Sequence, residues 1–133
     1  MSYNYEAVTE DIHVRVAPQF VEEDSSPEDG RYFWAYTVEI SNEGRDTVQL
    51  RSRHWRITDG NGRTEEVRGP GVVGKTPVLK PGESFRYTSG CPLPTPSGIM
   101  VGSYQMTRSD GTLFNVEIPA FSLDSPHTRR SLN

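Results

Sequence analysis

The feature that most limits what this chain can become is its period. Apolar residues recur at every second position through most of the length, and no window holds the 3.6-residue spacing of an amphipathic helix. Ile12, Val14 and Val16 alternate with His13 and Arg15, and Phe20 closes that run after Pro18, which belongs at an edge or bulge because it cannot donate to a ladder. Trp34, Tyr36, Val38 and Ile40 alternate with Ala35, Thr37, Glu39 and Ser41, the clearest half-buried strand. Phe85 with Tyr87, then Met100, Gly102, Tyr104 and Met106, then Phe114, Val116 and Ile118 repeat the pattern, and Pro119, Phe121 and Leu123 complete the expected core. Val48 and Leu50 share one parity whereas Trp55 and Ile57 take the other, which predicts a bulge or a change of sheet within Arg51-Ser52-Arg53.

Turn signals separate these runs. Asn42-Glu43-Gly44, Asp59-Gly60-Asn61-Gly62, Lys80-Pro81-Gly82-Glu83 and Ser109-Asp110-Gly111 carry the residues that accept tight-turn dihedrals. Glu22 to Gly30 is acidic and polar and reads as a solvated loop, and the three prolines of Cys91 to Pro96 predict an irregular segment. With 12 Gly and 10 Pro in 133 residues, long helices are disfavoured. The expected fold is all-β: an immunoglobulin- or fibronectin-III-like sandwich of about seven strands in two antiparallel sheets. One domain spans residues 1–123, and 124–133 are expected to be a flexible polar tail. A chain of this size buries about two-thirds of its unfolded surface, enough for a core without disulfide or metal.

Composition removes several function classes. Only 33% of residues are apolar and 24% are charged, so no membrane span is expected. The net charge of -4 offers no positive field to recruit nucleic acid or an anionic membrane surface. The single Cys91 excludes an internal disulfide and a thiolate zinc cage and suits a reducing compartment. Glu6, Glu10 and Asp11 stand where a secretory signal needs a basic start and an apolar run, so a cytoplasmic location is expected.

One segment invites a chemical reading. Gly69-Pro70-Gly71-Val72-Val73-Gly74-Lys75-Thr76 satisfies both the G-x-G-x-x-G pattern of dinucleotide folds and the G-x-x-x-x-G-K-[ST] pattern of the phosphate-binding loop. Both patterns need a helix immediately after them, because its N-terminal N–H groups complete the anion site. Pro77 and Pro81-Gly82 leave room for little more than one turn. The segment is therefore expected to be a tight loop between sheets with Val72 and Val73 plugging its underside. A reduced reading survives, in which Gly69, Gly71, Val72, Val73, Gly74 and Lys75 form an anion-binding loop for a phosphate metabolite.

Other constellations carry less. His13, His54 and His127 share no short metal-ligand spacing, and no cofactor or metal is expected. Asp59-Gly60-Asn61-Gly62 opens like a calcium loop, but Arg63 and Pro70 stand where oxygen ligands belong. Glu22, Glu23, Asp24, Glu28 and Asp29 read as a solvated acidic face. No G-x-S-x-G elbow is present, and Cys91 has no histidine nearby in sequence to activate it. Arg51, Arg53, His54, Arg56, Arg63 and Arg68 concentrate positive charge around Trp55, which reads as a solvated strand rather than a nucleic-acid surface. No catalytic residues are assigned, and the expectation is a protein that is not an enzyme.

Four ordered blocks, Gly69 to Gly74, Pro77 to Gly90, Gly98 to Met106 and Ile118 to Leu123, resemble the ApaG family, whose members are also called CorD-like. The resemblance runs from about Tyr5 to Leu123. It implies a fibronectin-III or immunoglobulin-like sandwich and a bacterial protein. The family's genes often accompany a dinucleoside-tetraphosphate hydrolase and are linked to cobalt resistance and magnesium transport. The resemblance carries no established enzymatic activity. Related domains in an F-box substrate adaptor and in a polymerase-delta-interacting protein imply a module that holds other proteins, so a protein partner is expected, docking as an added strand or between the sheets. The family's glycine motif maps onto Gly69, Gly71 and Gly74, whereas Lys75 and Thr76 fall at positions that vary in it.

Overall fold

Each alternating run becomes a strand. The computed structural model describes residues 3–128, and among these β1 (Tyr5–Thr9), β2 (Ile12–Phe20), β3 (Tyr32–Asn42), β4 (Val48–Asp59), β5 (Thr64–Pro70), β6 (Val78–Leu79), β7 (Ser84–Leu93), β8 (Gly98–Arg108) and β9 (Leu113–Leu123) succeed one another. The acidic stretch holds two single 3-10 turns, Glu22–Asp24 and Pro27–Asp29. No helix among the described residues is long and apolar enough to cross a membrane. The strands make a four-stranded sheet in the order β1-β2-β3-β7 and a five-stranded sheet along β5-β4-β8-β9, with β6 beside β4. The fold is a β-sandwich. Seven strands match the alternating runs and hairpin signals; the two additional ones are the short β1 and the two-residue β6.

The inner faces carry the expected side chains. Ile12, Val14, Val16, Trp34, Tyr36, Val38 and Ile40 from one sheet meet Leu50, Trp55, Met100, Tyr104, Met106, Val116, Ile118 and Phe121 from the other, all buried. Tyr36 reaches across to Trp55 at 5.5 Å between ring centroids and to Phe121 at 5.8 Å, and Trp55 meets Phe121 edge-on at 5.9 Å. Trp34 is capped by Phe20 at 5.4 Å, and its indole N–H donates to the Asp124 carbonyl at 2.8 Å.

Two bulges reset parity where the sequence demands it. The β4–β8 register slips between Leu50 and Ser52, so Leu50 and Trp55 both face inward. Below the slip β4 pairs with β6 and above it with β5. The β8–β9 register slips between Met100 and Gly102, setting Pro119 and Ala120 opposite Val101 alone. Ile118 and Phe121 thereby both enter the core, and Pro119 sits at the irregularity, where no ladder donor is missed.

Prolines inside strands obey one rule of phase. The bond from Val21 N–H to the Phe33 carbonyl sets which β2 residues turn their peptide groups toward β3, and Pro18, paired with Tyr36, is not among them. Its nitrogen faces the side where β1 has already ended. The expectation of an irregular Cys91 to Pro96 is corrected in its first half: β7 continues through Cys91, Pro92 and Leu93, paired with Trp34, Phe33 and Tyr32. The bond from Asn42 N–H to the Glu83 carbonyl fixes the β3–β7 phase, which turns the Pro92 nitrogen outward, so the missing donor costs no ladder bond.

At the far end of the chain, Ser125 Oγ donates to the Pro96 carbonyl at 2.7 Å and the His127 ring lies 5.6 Å from Phe20. The expected flexible tail of 124–133 extends past these contacts, and its residues 129–133 lie outside the described residues. Trp34 is the largest fully buried side chain, so Trp34→Ala is expected to lower unfolding free energy by about 3–5 kcal/mol in urea titration. No loss of stability would contradict the inward parity of β3.

Candidate functional site

The glycine segment is built around an arginine and a tight turn. β5 ends at Pro70, and Gly71 N–H donates to the Arg51 carbonyl at 2.8 Å. Val72 and Lys75 then exchange both backbone hydrogen bonds, each 2.8 Å, across Val73 and Gly74, whose φ values of 43° and 79° are both positive. That is the two-residue turn with left-handed centre that closes hairpins. Gly71, at φ 61°, admits no side chain: a Cβ there would lie 2.3 Å from the Lys75 carbonyl oxygen. Gly69 is bare because the Arg53 guanidinium lies over it, within 3.0 Å of where a Cβ would stand. From there Arg53 Nη1 donates to the Pro70 and Gly71 carbonyls at 3.0 and 2.9 Å.

The anion-loop expectation meets this geometry residue by residue. The N–H groups of Gly71, Val72 and Lys75 already donate to protein carbonyls, so the run of convergent donors that a phosphate nest requires is broken. No helix comes after the loop; Thr76 and Pro77 lead straight to β6, with Leu50 N–H donating to the Pro77 carbonyl at 3.0 Å. Val72 plugs the underside of the loop as expected, but Val73 does not: its side chain is 52% exposed. The physical reason is the turn itself, which points its two central residues away from the sheet.

Behind Arg53 lies a buried polar cluster. The Tyr87 and Tyr104 hydroxyls hydrogen-bond to each other between the sheets, and burial holds Tyr36, Tyr87 and Tyr104 above the ordinary tyrosine range. Cys91 shares this interior; burial, then the nearby Glu65 charge, pushes its thiol from 9.0 to about 11. Such a thiol is protonated near neutral pH and a poor nucleophile. The histidines are elsewhere and separately engaged: His13 Nδ1 lies 3.2 Å from Glu43, His54 Nε2 3.3 Å from Glu66 and His127 Nε2 3.2 Å from Glu22. Among the described residues no three His, Cys, Asp or Glu side chains gather as a metal site. Asp59 spends its carboxylate on the Asn61 and Arg63 N–H groups at 2.8 and 3.0 Å, so the calcium-like segment is the expected turn.

The sheet edges differ sharply. β1 and β9 close on each other, with Glu117 N–H donating to Thr9 Oγ1 and the Tyr5 hydroxyl meeting Ser122, both at 3.1 Å. β5 pairs only with β4, and its seven residues include Glu65, Glu66 and Arg68 and end in Pro70. Charge and proline are common guards of an edge. β7 pairs only with β3 over ten residues and carries one charge, Arg86. The strand phase turns the backbone groups of Ser84, Arg86, Thr88 and Gly90 to the free side, where no described backbone group bonds them.

The comparisons with known proteins bear on the whole sandwich. The family model of the ApaG domain matches residues 22–108. A Methylobacterium sp. (strain 4-46) protein named Protein ApaG is 67% identical over 129 residues, spanning 97% of this chain and 99% of its own. The chain belongs to the ApaG family. An ApaG relative from Rhodospirillum centenum is 61% identical over 97% of this chain. A crystal structure of a Bordetella pertussis protein provisionally named ApaA superposes with a TM-score of 0.85 at 52% identity, covering 89% of this chain and 96% of that one. Within this ApaG chain, sequence reasoning located the glycine segment but missed the β7 edge. The signal available was Ser84 to Gly90, a strand with a single charge; which flank lay open depended on the order of strands in the sheet.

Two outcomes test this geometry. Gly71→Ala is expected to cost about 1–3 kcal/mol in thermal or denaturant unfolding, through strain at a positive φ. Because folding raises the Cys91 pKa, its contribution to stability is complete below about pH 9 and is lost as pH rises through about 11. Cys91→Ala is therefore expected to show a shallower loss of unfolding free energy than the parent between those values.

Proposed function

We propose that this chain is a non-catalytic protein-interaction module, which takes up an extended segment of another protein as an added strand along β7. The observation that carries the reading is the free flank of β7: ten residues, one charge, and a row of outward peptide groups with no partner among the described residues. Main-chain hydrogen bonds of this kind supply affinity with little dependence on the partner's sequence, and the side chains alongside supply selectivity. The edges of β5 and β7 flank the side of the sandwich opposite the β1–β9 contact, and β7 is the less guarded of the two. In this reading the cobalt and magnesium associations implied for the family run through the bound protein, and the cytoplasm is where that protein is met.

Arg86 supplies the test, since its N–H faces outward and its side chain is exposed. Arg86→Pro removes that donor while leaving the bonds to β3; Arg86→Ala removes the side chain and keeps the donor. In affinity capture from native lysate, proteins held by the parent and by Arg86→Ala are expected to fall at least about tenfold, equivalent to roughly 1.4 kcal/mol, on Arg86→Pro of matched melting temperature. Equal capture by both variants, or no reproducible capture by the parent, overturns the reading.

A further inference from the structure

At the Leu93 end of β7, where the β3–β7 pair ends, lies an apolar hollow of about 410 Å³, lined by Tyr32, Phe33, Pro92, Leu93 and Pro94 and rimmed by Asp24 and Arg31. One glycine makes room for the Phe33 ring that lines it. On the outer face Gly90 stands opposite Ala35, and the Phe33 ring leans over it so closely that a Cβ at Gly90 would lie 2.3 Å from Phe33 Cζ. A ring belonging to β3 therefore extends across β7 toward the free flank. A strand added there would run about 4.8 Å from β7, and its side chain facing Gly90 would meet the Phe33 ring and enter the hollow.

The wall beside the hollow is acidic and held in place. Glu22, Glu23, Asp24, Glu28 and Asp29 lie within ten residues that contain one arginine, Arg31. Val21 N–H donates to the Phe33 carbonyl at 2.9 Å, Phe33 N–H donates to Ser25 Oγ at 2.9 Å, and Ser26 and Arg31 exchange backbone bonds at 2.7 and 2.9 Å. These bonds pin the acidic turns to the end of β3, next to the apolar lining. Arg31, 3.9 Å from Asp29, offsets one of these five negative charges.

We infer that the segment β7 captures is a basic one: an extended peptide with an apolar side chain set beside Gly90 against the Phe33 ring, and Lys or Arg beyond it facing the Glu22–Asp29 turns. This rests on the strand-addition reading and names its ligand class. The main-chain pairing sets alignment, the hollow selects the apolar anchor, and the acidic turns select positive charge in the residues beyond that anchor.

A random peptide library displayed on phage and selected on the full chain tests it directly. The expected result is enrichment of sequences with an apolar residue and, within about four positions to one consistent side of it, Lys or Arg. Synthetic versions of the enriched peptides are expected to bind at least about tenfold more weakly, roughly 1.4 kcal/mol, to Phe33→Ala and to Asp24→Lys, and more weakly as salt rises. Asp24 is on the surface, so its variant retains the fold if Phe33→Ala does not. Enriched peptides that lack the pattern but are lost on Arg86→Pro would overturn this inference and leave strand addition standing. Peptides with the pattern that bind Asp24→Lys and Phe33→Ala as well as the parent would also overturn it. No enrichment at all, or enrichment indifferent to Arg86→Pro, would remove both.

Discussion

The contact among Tyr36, Trp55 and Phe121 sets the spacing of the two sheets, and much else is arranged to permit it. The three rings come from β3, β4 and β9, so they tie the four-stranded sheet to both halves of the five-stranded one. Trp55 faces inward because the bulge after Leu50 shifts parity, and Phe121 faces inward because Pro119 and Ala120 together oppose one residue. Even the floor beneath Trp55 is specified: a Cβ on Gly102 would lie 2.6 Å from the indole. Interiors packed to crystal-like density leave no slack for a different side chain there.

That spacing leaves the two flanks of the sandwich unlike each other. On one flank β1 and β9 approach closely enough to share hydrogen bonds through the Thr9, Tyr5 and Ser122 side chains. On the other, β5 and β7 end their sheets separately, and the interior behind them is partly polar. Arg53 fills part of this side, bonded to the Pro70 and Gly71 carbonyls, with the tyrosine hydroxyls of β7 and β8 paired further in. Each of these groups has a protein partner, which is what a buried polar group needs in order not to destabilise the fold. In the glycine segment the Gly71, Val72 and Lys75 N–H groups likewise donate to protein carbonyls.

An unpaired strand edge in water costs little, since water bonds its N–H and C=O groups, but it is a template for any other extended chain. β5 limits that hazard with three charged residues and a terminal proline. β7 has Pro92 near its end and little else, and it runs beside an apolar hollow with a fixed acidic wall. Selectivity for one kind of segment is another way to keep an open edge from pairing indiscriminately.

Local rules were enough for much of this. Alternation assigned the inward faces of β2, β3, β8 and β9, the reversal of parity between Leu50 and Trp55 announced the first bulge, and glycine with asparagine marked the β4–β5 turn, because each depends only on residues within a few positions. The prolines of the Cys91 segment misled by the same locality: whether Pro92 breaks a strand depends on which side of β7 has a neighbour. The glycine segment likewise matched a phosphate pattern in letters, yet Gly69 lies under Arg53, a contact that exists only once β4 and β5 are paired, and Gly71 is required by the Lys75 carbonyl of its own turn. Strand order, and with it the open flank, the ring over Gly90 and the acidic wall next to it, was decided by how the two sheets close, a long-range choice that no short window of sequence encodes.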